Sequence, residues 1–70
     1  MEEKIYEEYF EACRKYYFNK NFEGREGEVE YFRGQKDILT ILLGGNNDRL
    51  IKLRDKAMTQ AEKDYEYFTC

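Results

Sequence analysis

A chain of 70 residues forms one domain, 1–70, and at this size folding buries only about 60% of the surface the unfolded chain exposes, so a partner subunit is the expected supplement to a thin core. Fifteen acidic against twelve basic residues leave a net charge of −3, which argues against the basic face that duplex nucleic acid requires. No apolar run reaches the roughly 20 residues needed to cross a bilayer, and with no histidine and no paired cysteines neither a metal nor a cofactor is expected.

The first predicted helix covers 1–20. Ile5, Tyr6, Tyr9, Phe10, Ala12, Cys13, Tyr16 and Tyr17 recur at helical spacing on one broad face, with Glu3, Glu7, Glu8, Glu11, Arg14 and Lys15 opposite. The opening "MEEKIYEEYF" has neither the basic start nor the apolar stretch of an export signal. The expected compartment is therefore the cytoplasm (the host cytoplasm for a phage-encoded chain), where Cys13 serves as a small apolar core residue. Tyr9 and Tyr16 read as core or subunit interface before they read as a ligand box, because association needs apolar area first.

In "NKNFEGREGEVE" two glycines within four residues weaken helix by about 1 kcal/mol each relative to alanine. A loop is predicted from near Asn19, with the next helix starting between Glu23 and Glu28; a weak helical turn running on through Arg25 is the alternative. Set between Gly24 and Gly27, Arg25 could present its guanidinium with little hindrance.

The second predicted helix covers 26–43 and stops at Gly44-Gly45, where glycine tolerates the left-handed conformation. Asn46, Asn47 and Asp48 offer N-cap oxygens for a third helix, 48–67, carrying Leu50, Ile51, Leu53, Ala57, Met58, Ala61, Tyr65 and Phe68. Its last turns, "EKDYEYF", are acidic where the helix dipole prefers cations, so fraying is expected there. No alternating β-branched run suggests a strand. The fold class is all-α, a three-helix hairpin-type bundle completed by oligomerisation.

On the second helix Tyr31, Phe32, Ile38, Leu39, Leu42 and Leu43 share one sector, and Ile41 extends it past a half-circle. This predicts a central helix that touches one neighbour on its Phe32–Leu39 side and another on its Gly34–Ile41 side. Gly34 there would admit a close backbone, and with two other helices in the chain, Gly34, Ile38 and Ile41 become candidates for a subunit interface with Tyr9 and Tyr16. Filling both flanks within one monomer is the plainer alternative.

Gln35 falls inside the apolar sector, where a buried amide must find partners or cost roughly 1–3 kcal/mol per unsatisfied group. Arg54 holds the matching position on the third helix. Both can be structural, Gln35 bonded to a tyrosine hydroxyl and Arg54 paired with an acid while its stem packs. Alternatively they line a polar pocket for an anion or small ligand.

Catalysis needs a positioned acid, base or nucleophile, and the chain offers thiols without a base and carboxylates mostly at solvated positions, so an enzyme is not expected. Binding remains. Tyrosine and arginine bury area while keeping a polar handle, and they stack on bases and hold phosphates. For a nucleotide ligand the candidate residues are Arg25, Tyr31, Gln35, Arg54 and Tyr65.

The stretch "YFRGQKDIL", through Tyr31, Arg33, Gly34, Asp37 and Leu39, resembles a pattern in small helical proteins of bacteriophages: aromatic-x-Arg-Gly-x-x-Asp-x-Leu. The resemblance implies a phage accessory or counter-defence protein that sequesters a small nucleotide immune signal or blocks a host protein, and it carries over no functional residue. A structural or regulatory interaction subunit is the alternative; a small transcriptional regulator fits less well, for want of a basic recognition helix.

Overall fold

The computed structural model describes residues 2–45 and 47–69. Three helices follow one another: α1 over Glu2–Asn19, α2 over Glu26–Leu42 and α3 over Asp48–Thr69. The all-α, three-helix architecture expected from the periodicity is present, and no strand occurs among the described residues.

The end of α1, the end of α2 and the start of α3 each have an identifiable cause. At the end of α1 the Asn19 amide donates to the Lys15 carbonyl at 2.7 Å, and the Asn21 amide reaches the Tyr17 and Phe18 carbonyls, both at 3.2 Å. Carbonyls that the last turn leaves without helical partners are thereby satisfied. The α2 terminus is a Schellman motif: Gly45 N–H donates to the Thr40 carbonyl at 2.8 Å and Gly44 N–H to that of Ile41 at 3.0 Å. Gly44 and Gly45 adopt φ of 89° and 93°, which side chains resist. Asn47 then caps α3, its Oδ1 accepting from the Leu50 N–H at 3.0 Å. The expected capping contribution of Asn46 lies outside the described residues.

The central helix is α1. It packs against both α2 and α3, which barely touch each other, correcting the expectation that the second helix occupies the middle. The reason is the width and texture of the α1 face. Ala12 and Cys13 are small and fully enclosed, so a helix can settle on either side of them, and Tyr9 fills the seam between. The core comprises Tyr9, Ala12 and Cys13 from α1, Leu39 from α2, and Leu50 and Ala57 from α3, with Ala61 also buried. Leu50 is its largest fully enclosed side chain, worth roughly 1.5–3 kcal/mol on burial.

At the far end of the bundle Phe18, Phe22, Tyr65 and Phe68 form an edge-to-face cluster with centroids 5.2–5.8 Å apart. This contact, added to the Thr69 hydroxyl donating to the Tyr65 carbonyl at 2.9 Å, keeps α3 helical to Thr69. The helix runs two residues past its expected end at 67, through the acidic turns where fraying was expected. At the opposite end Arg49 donates to Glu3 at 2.7 Å and lies 3.7 Å over the Tyr6 ring, joining the first turns of α3 and α1.

Candidate functional site

Helix α2 has two apolar faces rather than one wide sector. Val29, Phe32, Leu39 and Leu43 fall on the side turned to α1, with Leu39 buried and the others half-buried. On the opposite side Tyr31, Ile38, Ile41 and Leu42 are 64%, 60%, 75% and 65% exposed. At 100° per residue Gly27 and Gly34 lie in the middle of this outward strip. A Cβ added at either glycine meets nothing within 4 Å. The glycines therefore admit no close neighbour inside the chain, although Gly34, in the helix interior, costs about 1 kcal/mol of helix propensity relative to alanine.

The residues expected to form an interface thus divide. Gly34, Ile38 and Ile41 lie on the open strip. Tyr9 does not: it is 4% exposed and belongs to the core, because the seam between α2 and α3 receives its ring. Burial and the neighbouring Cys13 thiol push its pKa up to about 12, against smaller opposing effects of Thr40 and Arg54. Burial likewise lifts the Cys13 thiol above its ordinary value, which makes it a poor nucleophile. Tyr16 is half-buried, and the ammonium groups of Lys20 and Lys36 each lie 5.2 Å from its ring centroid. Its faces are occupied from within the chain.

The five candidate ligand residues do not converge. Arg25 is held by the loop, donating to the Asn19 side-chain oxygen at 3.0 Å and stacking 4.3 Å over Phe22. Tyr65 packs on the same Phe22 ring at 5.4 Å. Gln35 is exposed, on a shallow depression beside Lys4, Glu7, Glu8 and Lys15, so its amide meets water rather than a buried site. Tyr31 lies one turn away from it, edge-on to Phe32. Arg54 is half-buried near Tyr9 and Cys13, and no carboxylate among the described residues lies within ion-pair distance of it.

A second feature had no local signal in the sequence. An open cleft of about 650 Å³ runs between α1 and the last turns of α3. Phe18, Tyr67 and Phe68 form its apolar side, Glu11, Arg14, Lys15 and Asp64 its polar side. Arg14 grips Asp64 with two contacts, Nε to Oδ2 at 2.5 Å and Nη2 to Oδ1 at 3.0 Å, and Gln60 adds a third donor at 3.1 Å. The Arg14 guanidinium holds the Asp64 carboxyl below the usual carboxylate range, Gln60 helping and partial burial opposing. Tyr67 stands 89% exposed at the rim. Residues 50 positions apart meet here, which no short-range spacing announces.

Among the described residues no group of His, Cys, Asp and Glu is arranged to hold a metal ion, and no helix is long and apolar enough to cross a membrane. No family model, curated protein or solved structure matches the chain. Two partly apolar surfaces stand open on the bundle, the outward strip of α2 and the cleft between α1 and the last turns of α3.

Proposed function

We propose that this chain is a non-enzymatic helical binding protein whose copies associate through the outward face of α2, and which acts by occupying the surface of another protein. The observation that carries this reading is the strip of Tyr31, Ile38, Ile41 and Leu42. Taking a fully exposed large side chain at roughly 150–250 Å², the four leave ~500 Å² uncovered, the size of the patches that on small proteins are often functional. Covering that strip is what the thin core calls for.

The α1–α3 cleft is the part left free to meet a different partner. Its Phe18, Tyr67, Phe68 and Arg14 are of the types enriched at protein interfaces, large and partly apolar. A protein partner is favoured over a nucleotide, since Arg25 and Tyr65 are used in the aromatic cluster while Tyr31, Gln35 and Arg54 lie elsewhere. The phage resemblance of Tyr31–Leu39 supplies a setting, a counter-defence protein blocking a host protein in the host cytoplasm.

Sedimentation tests the association: the wild type should form oligomers at tens of micromolar and Ile38→Glu/Ile41→Glu should not. Pull-down with wild type and Tyr67→Ala/Phe68→Ala tests the cleft, and only capture lost in the second supports it. A thermal shift with any cyclic or linear nucleotide would restore the nucleotide reading.

A further inference from the structure

The outward face of α2 gives up helix propensity at Gly27 and Gly34 and gains nothing for it within the chain, since both positions look into open space. Neither has the positive φ that would demand glycine. Glycines set among large apolar side chains are what a closely approaching second helix requires. We propose that this face is covered by the same face of a second copy, the two α2 helices crossing antiparallel at Gly34. The proposal rests on the association put forward above and specifies its geometry.

Area, shape and charge point to this occupant. Two strips of ~500 Å² each bury ~1,000 Å² before the rim is counted, which reaches the lower bound of a specific interface. An isologous contact needs a self-complementary surface. A two-fold axis beside Gly34 sets Tyr31 of each copy against Ile38 of the other, and Ile41 and Leu42 against the notch at Gly27. At each end of the strip a large side chain thus faces a glycine, while Tyr31 and Ile38 pack on each other beside the crossing. Charge selects the direction. The first turns of α2 carry Glu26, Glu28 and Glu30, and a parallel pair would hold both triads side by side. Antiparallel pairing parts them by most of the helix length and opposes the two dipoles.

Disulfide mapping tests this. Tyr31→Cys and Ile38→Cys are prepared with different tags, each with Cys70→Ser, mixed at tens of micromolar and oxidised; Cys13 is buried and stays silent. A disulfide needs Cα atoms within about 7 Å, and antiparallel crossing offsets the two Tyr31 positions by ~9 Å along the axis. The mixed Tyr31–Ile38 product should exceed either like-with-like product by about tenfold, in line with that distance limit. Like-with-like products equal to or above the mixed one overturn the geometry while leaving association intact. A wild type that sediments as a monomer at tens of micromolar overturns both. Gly34→Leu, which keeps its circular dichroism but blocks the crossing, should weaken self-association by at least tenfold; unchanged association would also overturn the proposal.

Discussion

Gly34 lies in the interior of α2 without a positive φ, so Gly34→Ala adds one methyl group that meets nothing within 4 Å. No clash and no strain oppose it, and the remaining effect is helix propensity, which favours alanine by ~0.8–1.0 kcal/mol. Against a total of roughly 3–5 kcal/mol for a core of this kind, that is a large fraction. At ~4–8 °C per kcal/mol for a domain of 60–100 residues, the melting temperature should rise by several degrees. The assay is thermal melting followed by circular dichroism at low micromolar protein, where dissociated chains dominate. Gly44→Ala is the control. The same methyl group added at a φ of 89° meets left-handed strain of ~1–2 kcal/mol and should lower the melting temperature. At high protein concentration the gain from Gly34→Ala should shrink, because the methyl group stands where the second copy approaches. A Gly34→Ala variant that melts lower than wild type at low concentration would refute the reasoning, since it would mean that Gly34 is already packed inside one chain.

Leu50→Ala empties the most enclosed large site in the core and should cost ~2–5 kcal/mol, enough to leave the chain largely unfolded in a urea titration. Tyr9 ionises near 10 when unfolded and at about 12 when folded, so its contribution is intact below pH 10 and is lost as pH rises towards 12. That loss amounts to roughly 2–3 kcal/mol, and Tyr9→Phe should remove it from the alkaline limb of the urea midpoint against pH. Asp64 shifts the other way: its folded pKa is depressed, so its stabilisation is present above the ordinary carboxylate range and lost as pH falls through the folded value. Asp64→Asn should lower stability at neutral pH and flatten the acid limb.

Much of the fold was legible because its determinants are local. The 3.6-residue spacing of Tyr9, Ala12 and Cys13, or of Leu50, Ala57 and Ala61, needs no knowledge of the partner helix to mark an inward face. Gly44-Gly45 and Asn47 cap through atoms within a few residues of themselves. What escaped the sequence depends on where a third body lies. A helical wheel of α2 merges Leu39 and Ile38, neighbours in the chain, into one apolar sector, and only the position of α1 separates the buried side chain from the open one. Gln35 was drawn into a presumed interior by the same merging. Arg25 looked free because Gly24 and Gly27 flank it, yet Asn19 and Phe22 hold it from across the loop. The Arg14–Asp64 pair spans nearly the whole chain and leaves no periodic trace. The extension of the apolar sector past a half-circle at Ile41 was the sign in the sequence of a second face on α2.

The unequal anchoring of the helices has a consequence for how the molecule opens. Helix α2 buries a single side chain, Leu39, while α1 and α3 interlock through Cys13, Leu50, Ala57 and the charged and aromatic ties at both ends. Its amides should therefore exchange with solvent deuterium as a unit ahead of the α1–α3 pair, through partial opening rather than global unfolding. Whatever rests on its outer surface would slow that exchange, so protection along 26–42 would report occupancy of the strip without the occupant being known.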